Sequence, residues 1–207
     1  MSSSILNFLR LCAQRRSSAA SSLLLGDEAA AILEFAISLP LLVVFVFGIY
    51  DFSNAFNQRQ KIEQAAQEGA IVAAAQPTSD IETSVGSPGP GSLQPVVAAV
   101  FNSLAGSGVL AQANTGSCLI NPLPVGNQQP AGSLTWQYKV SGCPGDLYIT
   151  INRGWSSGTT PATVGTQITV TYPYIWRFNS VIQLMIPGAS YAATTTLQEI
   201  ATTHNQS

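Results

Sequence analysis

The chain is poor in charge, in histidine and in cysteine, and each shortage excludes something. Only 9% of its 207 residues are Asp, Glu, Lys or Arg, against roughly 25% in an ordinary soluble domain. The net charge is −2, so the chain has no basic surplus with which to hold a nucleic-acid backbone. The one histidine, His204, lies in the polar C-terminal stretch. A Ser/His/Asp arrangement would have to recruit it, and no G-x-S-x-G context is present. Asp146 is the lone carboxylate between Glu82 and Glu199, which leaves paired acid–base chemistry without material. There is no Gly-rich phosphate loop and no metal-ligand spacing. The expectation is a protein that is not an enzyme and uses no cofactor. No internal repeat and no sustained heptad run is present either.

What the chain does have is one long apolar run. Residues 29–50 read AAAILEFAISLPLLVVFVFGIY, with Glu34 as the only charge and Pro40 as the only proline. At about 1.5 Å per residue, a helix of that length crosses the roughly 30 Å hydrocarbon core of a bilayer. The surrounding charge is uneven. Arg10, Arg15 and Arg16 precede the run with no acid before Asp27. Basic residues beside a membrane helix stay cytoplasmic, so the N-terminus is expected inside and the residues after Asp51 outside the cytoplasm. A cleaved secretory signal fits less well, because the run starts late and no A-x-A-like site follows it. An arginine so close to Cys12 argues against lipoprotein-type modification.

Cys118 and Cys143 both fall on the exported side, where disulfides persist. Their pairing would close a loop of about 25 residues, a constraint on the order of 3–4 kcal/mol. Metal binding competes with this reading, but two cysteines without a nearby histidine make a poor site.

The reading along the chain is a cytoplasmic leader over 1–26, a transmembrane helix over 27–52 and an exported α+β domain over 53–207. Asp27 and Glu28 suit the first turn of the helix. The helix continues through 51–75 (DFSNAFNQRQKIEQAAQEGAIVAAA), where Phe52, Phe56, Arg59, Ile62, Ala66, Ala70 and Ala73 recur at helical steps. That face ends in small residues that let another backbone approach closely. Gln76-Pro77 ends the helix, and 77–95 is a turn-rich linker. A second helix is expected over 96–104, closed by Gly106, followed by a long loop over 107–132. Strands are expected at 134–140, 147–153 and 166–172, with a final one over 191–202 after an apolar excursion at 173–187. The fold class is therefore α+β: a membrane helix continuing into a long amphipathic helix packed on a small antiparallel sheet of about four strands.

Glu34 costs about 2.5–3.5 kcal/mol at a helix centre and less near an end, so it either snorkels to the interface or has a partner. Pro40 removes a backbone hydrogen bond, and Gly48 adds a second soft point. The run Glu34-Phe35-Ala36-Ile37-Ser38-Leu39-Pro40-Leu41-Leu42, followed by Gly48, resembles the N-terminal signature of TadE-like proteins. These are minor pseudopilins of tight-adherence (Flp, type IVc) pilus machines. The likeness continues through Arg59-Gln60, Ala65-Ala66 and Glu68-Gly69-Ala70, covering 26–75 well and the rest loosely.

The resemblance implies a pilin-like protein in the bacterial inner membrane. Its implied partners are membrane lipid, other pilins or pseudopilins, pilus assembly proteins and a prepilin peptidase. Related pilin-like proteins are cut after a glycine, which leaves a glutamate at the fifth mature position. Counting back from Glu34 makes Ala30 the first mature residue and Ala29 the residue before the cut, whereas Gly26 would put Glu34 at position eight. Cleavage, if it follows the family, would free an α-amino group that Glu34 of an adjacent subunit could neutralise. The competing reading is a single-pass binding or adhesion module, with Trp136, Tyr138, Tyr148, Trp155, Tyr172, Tyr174 and Trp176 as material for a contact patch.

Overall fold

The computed structural model describes residues 27–81, 89–122, 134–143, 145–158, 163–178, 182–183, 188 and 194–205. The expected leader, with Cys12 and Gly26, lies outside these residues. So do 82–88 of the expected linker, 123–132 of the expected loop, 179–181 and 184–187 of the apolar excursion, and 191–193 of the expected final strand. The chain divides into two units, Met1–Tyr50 and Asp51–Ser207. One helix, α1 (Asp27–Ala74, 48 residues), contributes to both and carries Pro40 inside it without interruption.

In the first unit the described part of α1 is apolar on all sides and buried on none. Ile32, Leu33, Phe35, Leu41, Leu42, Phe45 and Ile49 are each more than 60% exposed. Leucine favours a helix, and valine and phenylalanine tolerate one. In water, such side chains would leave a large apolar surface uncovered. A helix that is apolar all round belongs in a core or in a bilayer.

In the second unit α1 continues from Asp51 to Ala74 with a one-sided pattern. Ala55, Ile62, Ala65, Ala66, Ala70, Ala73 and Ala74 are buried, while Glu63, Gln64, Gln67 and Glu68 face outward. Helix α2 (Gln94–Gly106) starts with Pro95 in its first turn and buries Val96, Val97, Val100 and Leu104. It runs through Gly106, not up to it. The residue that turns the chain away is Gly108, whose φ of +74° favours glycine. The two helices meet at Gly69, where a Cβ would collide with Val100 Cγ2.

The sheet has five antiparallel strands in sequence order. They are β1 (Leu119–Pro122), β2 (Thr135–Ser141), β3 (Leu147–Ser156), β4 (Val164–Ile175) and β5 (Thr194–His204). The registers Tyr138↔Ile149, Ile151↔Ile168 and Tyr172↔Leu197 place apolar side chains of neighbouring strands side by side. Alternation in β2, in β3 as far as Arg153 and in β4 from Thr166 onward follows from the two-residue pleat. Trp136, Tyr138 and Val140, Leu147, Ile149 and Ile151, and Ile168, Val170 and Tyr172 therefore all point inward. They join the alanine face of α1 and the valines of α2 in one core. Each fully buried Ile or Leu contributes about 1.5–3 kcal/mol relative to an exposed one.

Further sequence expectations need correction. The sheet has five strands, not about four, because β1 lies in the stretch read as a loop. It is a four-residue edge strand held by backbone pairing to β2, with Leu119 and Ile120 exposed, so it has no hydrophobic alternation to betray it. The face of α1 also starts in a different phase. Phe52 and Phe56 are 62% and 60% exposed, and the buried line passes through Asp51 and Ala55 before it reaches Ile62. Finally, β5 runs on to His204, two residues beyond its expected end.

Candidate functional site

The residues singled out in the apolar run all lie on the first-unit part of α1. Glu34 is exposed near its start, beside the exposed Phe35, and Ala30 is exposed one turn earlier. Ala29 lies in the helix too, and Gly26 precedes the described residues. Ser38 Oγ donates to the Phe35 carbonyl at 3.2 Å, which returns the hydroxyl to its own helix rather than to a neighbour. Pro40 has no N–H for the Ala36 carbonyl. At Gly48 a Cβ would meet nothing within 4 Å. No part of the most apolar window of this helix is buried by the protein. By length and composition α1 can cross a membrane once, and it is the one such helix among the described residues.

Immediately after this run the helix is locked to the sheet. Asp51 is 2% exposed. Its Oδ1 accepts from the Tyr174 hydroxyl at 2.7 Å, and its Oδ2 accepts from the Phe178 backbone N–H at 2.8 Å. The same hydroxyl lies 3.1 Å from the Asp51 carbonyl. A buried carboxylate is tolerated only when its oxygens are satisfied in this way. Two turns further on, Arg59 pairs with Glu199 of β5, with the arginine the more exposed partner.

The chain just past the far end of α1 is tied to the sheet. Arg153 of β3 is 1% exposed, and its Nη2 donates to the Gln76 carbonyl at 2.5 Å. Gln76 lies two residues past the helix, so the bond ties down the chain leaving α1, and the cation suits the negative end of the helix dipole. Burial lowers the Arg153 pKa, and the nearby Asp80 charge works in the opposite direction. Asp80 in turn accepts from Ser92 N at 2.8 Å and Ser92 Oγ at 2.7 Å, fixing the start of the turn that leads into α2. Burial disfavours the ionised Asp80, but the bonds from the Ser92 hydroxyl and backbone outweigh it and hold the carboxyl below the ordinary value of 3.8. Burial also raises the pKa of the Tyr138 hydroxyl.

Cys118 and Cys143 are brought together with 5.1 Å between their Cα atoms, inside the range a disulfide requires. Gly142, between the end of β2 and Cys143, takes a φ of +84°, a left-handed turn for which glycine is suited. The aromatics are divided. Trp136, Tyr138, Tyr172 and Tyr174 are buried, whereas Tyr148, Trp155 and Trp176 are half-buried. Among the described residues no three His, Cys, Asp or Glu side chains are grouped to hold a metal.

Sequence reasoning points to Glu34, Phe35, Pro40 and Gly48 but misses Asp51, Arg153 and Asp80 as organising residues. Their signal is faint: each is an isolated charge in a chain with very few. A scarce charge beside an apolar stretch invites the question of what satisfies it.

The family model described as TadE-like protein matches residues 29–70. That span lies wholly within α1 and ends before the sheet begins. No curated protein and no solved structure matches the chain. The TadE-like segment supports a role related to assembly of a tight-adherence pilus.

Proposed function

We propose, for a chain whose residues 29–70 match the TadE-like family, that it is a minor pseudopilin anchored once in the inner membrane. The observation that carries this reading is the coincidence of the family match with a helix segment that exposes Leu, Val, Ile and Phe on every side. In this reading residues 30–50 of the expected 27–52 membrane helix cross the hydrocarbon core, the leader stays in the cytoplasm, and the unit from Asp51 onward is exported. Export places Cys118 and Cys143 in an oxidising compartment, where at 5.1 Å between Cα atoms they form a disulfide.

Glu34 then lies about 6 Å inside the cytoplasmic end of the span. A carboxylate there is stabilised by a cation, and the α-amino group of a neighbouring processed subunit supplies one. Cleavage before Ala30 places Glu34 at the fifth mature position; cleavage after Gly26 places it at the eighth. Pairing of Glu34 with the neighbour's terminus would set the axial register of subunits entering the assembly.

The test joins two measurements. One is the intact mass of the protein from native membranes, under non-reducing alkylation. The other compares the wild-type chain with its Glu34→Gln variant in a pilus-assembly assay. A mass lacking residues 1–26 or 1–29 supports processing; the first cut leaves Asp27 as the new N-terminus and the second leaves Ala30. Loss of assembly in Glu34→Gln, with the protein still inserted in the membrane, supports the pairing. A full-length mass together with unchanged assembly in Glu34→Gln sinks both parts of the reading.

A further inference from the structure

Beside the buried Asp51, a group of side chains in the second unit is turned outward. Phe52 is 62% exposed. The Trp176 ring lies 5.4 Å from the Phe52 ring and 5.0 Å from that of Tyr174, and Arg177 next to it is exposed. The position of this patch is fixed by polar bonds beneath it. Asp51 holds Tyr174 and the Phe178 N–H, and Trp176 Nε1 donates to Thr195 Oγ1 at 2.6 Å. An aromatic patch pinned in place yet left uncovered marks an interaction surface.

Chain position identifies the partner. Residues 30–50 account for about 30 Å of helix, the thickness of the hydrocarbon core, so Phe52 begins about 3 Å beyond it. The headgroup layer extends about 5–7 Å further on each side. Tryptophan and tyrosine favour this layer, where an apolar ring meets hydrocarbon and an N–H or O–H meets water. Arginine reaches lipid phosphate from the same depth. Arg177 is the only charged residue between Arg153 and Glu199, so no acidic side chain in that stretch opposes contact with anionic headgroups.

We propose that Phe52, Trp176 and Arg177 form a second membrane contact, by which the end of β4 rests among the lipid headgroups on the exported face. The inference builds on the reading that 30–50 spans the bilayer. It adds that the exported unit is held against the lipid at a defined point, which restricts its tilt relative to the bilayer plane.

The full chain is reconstituted in anionic phospholipid vesicles brominated either near the headgroups or near the chain ends. Insertion is checked separately by flotation after an alkaline wash. The expected result is tryptophan quenching that is stronger with the shallow bromines and is lost in Trp176→Phe. Adding Phe52→Trp to that variant restores it, so the result does not depend on a loss of signal alone. A chain that floats but shows no shallow quenching, or the same quenching in Trp176→Phe, overturns the contact while leaving the membrane span intact. Failure to float overturns both. A Trp176 signal that follows protein concentration instead of bromine depth assigns the patch to a second copy and also overturns the proposal.

Discussion

The two parts of α1 share one backbone and differ in what surrounds them. Before Tyr50 the helix carries large apolar side chains and buries none of them. After Asp51 it carries mostly alanines on its inner face and covers nearly all of them. Side-chain size explains the difference. A helix packed on a sheet and a second helix must approach closely, which selects alanine and glycine at the contact, as at Gly69 against Val100. A helix solvated by lipid needs only apolar surface, and bulky residues supply most of it per turn. All-round hydrophobicity marks the first region and one-sided hydrophobicity the second, and the size of the apolar side chains separates a lipid-facing surface from a packed one.

The strongest way to break this contrast is to truncate one large residue in each part. Ile62→Ala, at a fully buried position, is expected to destabilise the second unit by about 2–5 kcal/mol. Leu41→Ala, 61% exposed, leaves that stability unchanged. Denaturant titration of the full chain in detergent, followed by tryptophan fluorescence, measures both. Equal losses would mean that the two parts have the same surroundings.

The opposite change gives a smaller effect. Gly69→Val adds atoms where Val100 already stands, and overpacking costs about 1–3 kcal/mol. Gly48→Val has open space around it and is expected to be silent in the same titration. A silent Gly69→Val would show that α2 can move away from α1.

The smallest effect contrasts two carboxylates. The folded-state pKa of Asp80 lies below 3.8, so its ionised form stabilises the fold above the unfolded value. That contribution is lost as pH falls through the folded value. Ser92→Ala removes the hydroxyl donor and leaves the backbone one. It costs about 1 kcal/mol at neutral pH and narrows the difference between neutral pH and about pH 3. Glu34→Gln, on the exposed part of α1, leaves the stability curve where it was. Parallel urea titrations at the two pH values decide the matter.

Much of this architecture is legible in the sequence because it is periodic. The apolar run and its continuation mark one unbroken helix as far as Ala74, Pro95 marks the start of α2, and alternation marks β2, β3 and β4. What escapes is what periodicity does not encode. Phe52 and Phe56 fit the helical step as well as Asp51 and Ala55 do, and hydrophobicity favours the wrong pair. Burial chose the other line because Asp51 finds its partner on Tyr174, 123 positions away. Strand β1 escapes because an edge strand of four residues is specified by the neighbour it pairs with.

By itself the sequence determined the length and apolarity of the first helix, the strand alternation and the family likeness, all of which arise from neighbours within a few residues. Tertiary structure decided which face of α1 turns inward, how the chain leaving it is tied down and where the lone charges go. Those outcomes depend on donors far along the chain: Arg153 reaches Gln76 across 77 positions. A buried charge is stable only where folding delivers its partner, and no local pattern records that meeting.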